Sequence, residues 1–338
     1  MKVRLKDIAK IANVSVASVS IVLNDPDTTR ISEARKKEIL AIADELNYVP
    51  NTAARSLVTN RSKIIGAIIP DLENQFFSSF AKSIEEHCRK HGYVVMMMNT
   101  HENVENDAQI IDFLHSRGVD GMIISLSGGS YTNNEAIINS LNKLTIPYVL
   151  ADRTLDNFEA NEVVFNNKQG EYLATKHLID QGHTKIGYIS TKKHSMTGHF
   201  RHLGYEKALR KAGIEINEDY ISYGKFDYET GYQAGESLFK TDVTAIACAN
   251  DLIAFGLIRR AREMGISVPE DISLVGFDNL YINDIMEKGL TSIDQNTNVM
   301  GQASVKILMD AINGKTGLKK VVLEPTLKIR QSVRRINE

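Results

Sequence analysis

From Lys63 onward the chain repeats one pattern, a short apolar run of strand length followed by an amphipathic stretch of helix length. IIGAIIPD, YVVMMMNT, GMIISLS and PYVLADR are runs of the first kind, with FSSFAKSIEEHCRKHG and AQIIDFLHSRGVD between them. Apolar strands that alternate with helices indicate a parallel sheet covered on both faces, because such strands leave no side for water. A second series follows through VVFNN, KHLIDQG, KIGYIS, GYEKALRKAG, ISYGKF, AIACAND and ISLVGFDN. Two series predict two doubly wound α/β lobes facing a cleft, one of about residues 63–162 and 296–325, the other of about 163–295 and 326–338. The stretch VVLEPTLKIRQSVRRINE reads as a closing strand pair with a basic end.

In open sheets of this kind ligands sit beyond the carboxyl ends of the strands. Those ends carry Asp71, Asp152, Arg153, Asn167, Asn250, Asp251 and Asp278, with Phe76, Phe77, Phe165 and Phe226 nearby. Carboxylates, amides, a guanidinium and aromatic faces together suit a small polyol or sugar. Strand-end Asp and Asn residues also cap the helices that follow, and for any single one both roles are open.

The head has a different period. In LKDIAKIANVSVASVSIVLN, residues Leu5, Ile8, Ala9 and Ala12 fall on one helical face. Asn13 accepts a left-handed turn, and Ser15 is placed to cap a second helix whose apolar side is Val19, Val22 and Leu23. Two short helices joined by a tight turn predict a helix-turn-helix, whose second helix fits the major groove. On its outer face Ser15, Ser18 and Ser20 offer hydroxyls to phosphate, whereas Val16, Ala17 and Ile21 offer only methyl contacts, which suit thymine. The loop DPDTTR breaks the second helix, Ser32 is placed to cap a third, and Ile39, Ile42, Ala43 and Leu46 close the small core. The segment 51–62, NTAARSLVTNRS, is too short for a stable isolated helix. It reads either as a flexible linker or as a hinge that becomes helical on DNA, with Leu57 as a minor-groove wedge.

The net charge of −2 is unevenly spread. Residues 1–62 hold 10 Lys and Arg against 7 Asp and Glu, leaving 30 against 35 in the remainder. A slightly basic head on an acidic body fits localised nucleic-acid contact. Two cysteines, Cys88 and Cys248, build no disulfide framework, and no 18-residue apolar run or signal-like start is present. A cytoplasmic protein with no membrane partner is expected.

Together these stretches resemble the lactose-repressor (LacI/GalR) family of bacterial transcription regulators. The resemblance spans essentially the whole length, with LKDIAKIANVSVASVSIVLN and ELNYVPNTAARSL in the head. In the body it is carried by IPDLENQFF, GYVVMMMNT, ADR, NNKQGEYLATKHLIDQGHTKIGYIS, RHLGYEKAL, CANDLIAFG and VGFDN. It implies an N-terminal all-α helix-turn-helix head (1–50), a hinge (51–62) and a periplasmic-binding-protein-like core (63–338). It also implies a homodimer on a pseudo-palindromic double-stranded operator, repressing sugar or carbon-metabolism genes. The operator affinity is then set by a sugar or sugar phosphate in the cleft, with no cofactor, no metal and no catalysis. By resemblance Ser15, Ser18, Ser20, Asn24 and Tyr48 hold phosphate or position the head, Arg30 lies near phosphate, and Val16, Ala17 and Ile21 face bases. Asn51, Ala54 and Leu57 lie along the minor groove, with Arg55 in the same segment. In the cleft the matching positions are Asp71, Phe76, Phe77, Asp152, Arg153, Arg201, Phe226, Asn250 and Asp278, to which the strand-end reading adds Asn167.

The chain departs from the family at several turns. Ile21 stands where arginine is common, which points to a thymine-rich rather than guanine-dependent operator position. Asn13 replaces a usual Gly, Gln75 a usual Pro, and Asn296 a usual Pro after Gln295. A sugar-binding protein or an enzyme on the same two-lobed body is the competing class. Against the enzyme, the chain has no nucleophile elbow, P-loop, zinc-protease or dinucleotide motif. Gly128-Gly129-Ser130 after a strand could hold an anion or be a plain loop, and His194, His199 and His202 cluster without a standard metal spacing.

Overall fold

The computed structural model describes residues 3–24, 28–49, 61–131, 134–191 and 195–336. The chain divides into two units, Met1–Ser62 and Lys63–Glu338.

In the first unit α1 (Leu5–Ile11) and α2 (Val16–Asn24) meet at 110°, inside the range of helix-turn-helix pairs. Asn13 takes the left-handed conformation at φ 51°, and the Val14 N–H donates back to the Ala9 carbonyl at 3.1 Å. Ser15 accepts from the Ser18 N–H at 3.0 Å, so the cap of the second helix forms as expected. Helix α3 (Glu33–Glu45) completes a core of Ile8, Ala9, Ala12, Val19, Val22, Ile39 and Ala43. Ser32 stands at its cap position, but its hydroxyl makes no capping bond. Among the described residues no single helix is long and apolar enough to cross a membrane.

The second unit holds two six-stranded sheets. The first contains β1 (Ile64–Ile69), β2 (Val94–Asn99), β3 (Gly121–Ile124), β4 (Tyr148–Ala151), β5 (Asn161–Phe165) and β11 (Lys320–Leu323). Their order is β11-β5-β4-β3-β1-β2, all parallel, with Ile65 opposite Gly121 and Val163 opposite Val321. The second contains β6 (Ile186–Ser190), β7 (Ile221–Tyr223), β8 (Ala245–Cys248), β9 (Ser273–Asp278), β10 (Thr291–Asp294) and β12 (Thr326–Lys328). Its order is β12-β10-β9-β8-β6-β7, parallel except for β12.

Helices α4 (Gln75–Lys90), α5 (Val104–Ser116), α6 (Glu135–Asn142) and α11 (Thr297–Ile312) cover the first sheet. Helices α7 (Asn167–Asp180), α8 (Met196–Lys211), α9 (Tyr228–Leu238) and α10 (Asp251–Glu263) cover the second. The two-residue period of a strand explains why β1 is apolar throughout. Ile65, Ala67 and Ile69 pack with α4 and α11, while Ile68 packs with Ile111 and Leu114 of α5 on the other side.

Two expectations shift. Strand β5 stays in the first sheet to Phe165, so the first crossing between lobes falls at Asn166, a few residues later than 162/163. The last strands are not a pair, since β11 joins one sheet and β12 the other, and β10 had no counterpart in the sequence reading. The crossings are tied together where Asn166 Nδ2 donates to Glu324 Oε1 at 3.0 Å. Cys88 and Cys248 are both buried and unpaired with each other.

Candidate functional site

The carboxyl ends of β1, β4, β8 and β9 converge on a small cavity. It is lined by Asn74, Phe76, Phe77, Asp152, Arg153, Thr197, Arg201, Phe226, Asn250 and Asp278. The sheets place these groups because polar residues at strand ends emerge where the helices begin. Asn74 caps α4 by accepting from the Phe76 N–H at 3.0 Å, and Asn250 caps α10 by accepting from the Ile253 N–H at 3.0 Å. The amide of Asn250 is left free to donate, and it reaches the Phe226 carbonyl at 3.3 Å.

Two buried arginines face one another across the cleft. Arg153 Nη1 donates to both Glu102 oxygens, at 2.9 and 2.8 Å, and to the Leu126 carbonyl at 3.2 Å. Its Nε lies 3.8 Å from Asp152. Burial opposes the charge on Arg153, but Glu102 and Asp152 outweigh it and keep the guanidinium protonated. Arg201 Nε donates to Asn167 Oδ1 at 2.8 Å and Nη1 to the Ala249 carbonyl, with Asp278 3.5 Å away. Its guanidinium stacks 3.7 Å above the centre of the Phe277 ring and 5.2 Å from that of Phe226. Phe226 also lies 6.0 Å from the Arg153 guanidinium, so one ring serves both.

The carboxylates are perturbed in a way that matches this closure. Burial pushes Asp278 up to about 7, against the pull of Arg201, and Asp251 and Asp152 raise it further. Burial likewise raises Asp152, while Arg153 and Arg201 lower it. Asp152 Oδ1 is buried without a hydrogen-bond partner and lies in the pocket wall. Both residues hold left-handed backbone, at φ 66° for Asp152 and 102° for Asp278, a strain that non-glycine residues keep where the surroundings demand it.

Most of the expected cleft residues meet here. Asp71 does not line the cavity; its Oδ1 accepts from the Glu73 N–H at 2.9 Å and shapes the turn after β1. Asn167 stands behind Arg201 as its acceptor. Asp251, another strand-end residue, braces the loop that carries Asp278 by accepting from the Leu280 N–H, Asn283 and Ser292. Phe165 lines a neighbouring groove. Sequence reasoning missed Asn74, Thr197 and Gln295, whose amide donates to Asp278 at 2.8 Å. The Asn-x-x-x helix starts at Asn74 and Asn250 are alike, and that likeness could have found the first.

The two remaining motifs have partners within the fold. The Gly128 N–H donates to Glu102 at 2.8 Å, so this loop already has an anion of its own. His199 stacks on Tyr131 across the cleft, and His202 meets Ser190 and Glu206. His194 lies outside the described residues.

On the head, Ser15, Val16, Ala17, Asn24 and Arg30 are exposed, while Ser18, Ser20, Ile21 and Tyr48 are half-buried. Asn24 Nδ2 donates to the Ser20 carbonyl at 2.8 Å, and Tyr48 packs against the small core. Asn51, Ala54, Arg55 and Leu57 lie outside the described residues.

A two-lobed core with a polar cavity lined from both lobes, joined in one chain to a helix-turn-helix, is the architecture of a ligand-responsive transcription regulator. Residues 4–51 match the bacterial regulatory proteins of the lacI family, and residues 62–331 match the periplasmic binding proteins and sugar binding domain of the LacI family. The chain belongs to the LacI family, as a DNA-binding repressor with an effector-binding core and not an enzyme. It is 36% identical over 333 residues to the HTH-type transcriptional repressor PurR of Pasteurella multocida (strain Pm70), covering 98% of each. The lac repressor dimer bound to operator and the anti-inducer ONPF superposes with a TM-score of 0.89 at 26% identity, covering 99% of this chain and 100% of that one. A LacI family regulator from Enterococcus faecium with bound ribose shares 30% identity at a TM-score of 0.72, covering 81% of this chain and 100% of that one.

Proposed function

We propose that this repressor senses a small, uncharged sugar and controls genes of carbon metabolism. The observation that carries the reading is the charge balance of the cavity. Each arginine already faces a carboxylate, Arg153 with Glu102 and Asp152, Arg201 with Asp278, so no cation is left over for a phosphate group. What remains is a dense set of donors and acceptors beside Phe76, Phe77 and Phe226, which suits hydroxyls on one edge of a ligand and C–H faces on another. The ribose carried by the Enterococcus relative supports the same class.

On DNA, the proposal is a homodimer that places one head in each half of a pseudo-palindromic operator, with Leu57 as the central minor-groove wedge. A sugar that prefers one lobe arrangement changes the geometry in which the heads are held. Coupling of about 1–3 kcal/mol alters operator affinity roughly 5- to 150-fold.

Isothermal titration of the full chain with D-ribose, other aldoses, their phosphates and purine bases tests the ligand. Binding confined to an unphosphorylated pentose or hexose is expected. Tight binding of a sugar phosphate or of a purine base, with none of the free sugars, overturns the reading. Selection from random duplexes tests the operator. A palindrome with thymine facing Ile21 is expected, and no preference over scrambled DNA at moderate salt defeats it.

A further inference from the structure

The carboxyl of Glu171 has no place in the site as built so far. It is fully buried on α7, one turn beyond Asn167, and neither of its oxygens has a hydrogen-bond partner. Two more buried polar atoms without partners are its neighbours, Thr175 Oγ1 one turn further along α7 and the Tyr188 hydroxyl on β6. Buried polar atoms are nearly always satisfied, so three of them in one place call for a reason. The close crossing of α7 and α8 puts them there. A Cβ on Gly204 would stand 2.4 Å from the Lys168 carbonyl and 2.8 Å from Glu171 Cβ. Residues four apart share a helical face, so Asn167, which holds Arg201, and Glu171 look the same way.

We propose that Glu171 is a positioning residue for the effector pocket, which through its charge state sets where Arg201 directs its guanidinium and so how tightly the cleft holds a neutral sugar. Only the last step, the sugar, rests on the function proposed above. Glu171 faces Arg201 and Tyr205 on α8, Tyr188 on β6 and Cys248 on β8. Asp278 at the end of β9 is already engaged with Arg201, and Asp294 and Lys328 on β10 and β12 pair with each other at 4.0 Å. Arg201 is thus the charge that acts on Glu171. Burial pushes Glu171 up to about 8, while Arg201 pulls it down. At neutral pH the group is uncharged, and Arg201 is held by Asn167, Ala249 and Asp278 toward the cavity. Once ionised, Glu171 competes for Arg201 from beneath.

The test follows the Arg201 Nε–H signal by NMR in the unliganded full chain from pH 6.5 to 9.5, with Arg201→Lys to assign it. In the wild type the signal is expected to show a step with a midpoint near the value for Glu171, and in Glu171→Gln to lose that step and keep only the one near 7 that Asp278, 3.5 Å away, contributes. D-ribose is expected to bind about threefold more weakly at pH 9 than at pH 7.5 in the wild type, and equally at both in Glu171→Gln. A group held neutral by burial also lowers stability as pH rises past its unfolded value. Glu171→Gln should therefore match the wild-type melting temperature at pH 4 and exceed it at pH 8. An unmoving wild-type signal, an unchanged step in Glu171→Gln, or no stability gain at pH 8 overturns the proposal. If the step is present but ribose binds at no pH, the sugar reading fails and the positioning role stands.

Discussion

The two walls of the cleft hold equivalent charges by different means. On the first lobe Arg153 is gripped twice by one carboxylate, Glu102, whose side chain is 40% exposed, and again by the Leu126 carbonyl. On the second lobe Arg201 is held mainly by neutral acceptors and a ring face, and its nearest carboxylate is 3.5 Å away. The first arrangement is anchored by a charged grip before any ligand arrives, although Arg153 Nε and Asp152 Oδ1 are buried without hydrogen-bond partners. The second has no carboxylate in direct hydrogen-bond contact with its guanidinium, so it is the wall a ligand can reorganise at lower cost. One wall therefore serves as a fixed reference and the other as the sensor.

The sharpest way to break this comparison is Arg201→Ala. It leaves Asp278 buried without its cation, and removal of one partner of a buried pair costs about 3–5 kcal/mol. We expect effector affinity to fall by more than about 100-fold, with operator binding kept, in titration and gel-shift measurements on the same sample. A normal response to the effector refutes the sensor role. Phe226→Ala removes the ring shared by both arginines and should weaken binding by about tenfold, a cation–π loss of about 1–2 kcal/mol.

The third test is pH. Asp278 sits at about 7, so below that value it is protonated and loses the charge that strengthens its acceptance from sugar hydroxyls. Affinity should fall roughly tenfold between pH 7.5 and pH 6, and the acid limb should vanish in Asp278→Asn. The stability effect has the opposite sense. A carboxyl raised by burial is stabilising below its unfolded value near 3.8 and progressively less so as pH climbs toward 7. Asp278→Asn should accordingly melt higher than the wild type at pH 8. The smallest effect is expected for Glu102→Gln, because that carboxylate is partly solvated and Arg153 keeps Asp152 and Leu126. A loss of about threefold fits a partly exposed pair, and a loss as large as that of Arg201→Ala would erase the distinction between the walls.

Much of the architecture was readable because it is written in period and chemistry. Continuous apolar strands, the alternation with helices and the Ser15 cap are local signals, and each fold element they announced is present. The exceptions were non-local. Strands β11 and β12 divide between the sheets as the bounds 296–325 and 326–338 expected, but β10 is short and is completed by β12 from far along the chain, so nothing in TSID marked it as a strand. The site followed the same rule. Asp152, Arg153, Asn250 and Asp278 stood out as polar groups ending apolar runs. Gln295 and Thr197 did not, because they enter the cleft only through the crossing of the chain and the start of α8. Asp71 ends an apolar run in the same way but lies off the cavity, where its carboxylate accepts from the local turn. Glu171 was invisible, because a glutamate amid helical residues normally faces water.

The left-handed aspartates carry a further consequence for evolution and engineering. Each holds roughly 1–3 kcal/mol of backbone strain that a glycine would release. A laboratory programme that screens variants for heat resistance alone will therefore be drawn to positions 152 and 278. It will enrich proteins that survive the oven and no longer notice the metabolite, so any such campaign on this scaffold needs a selection for responsiveness running beside it.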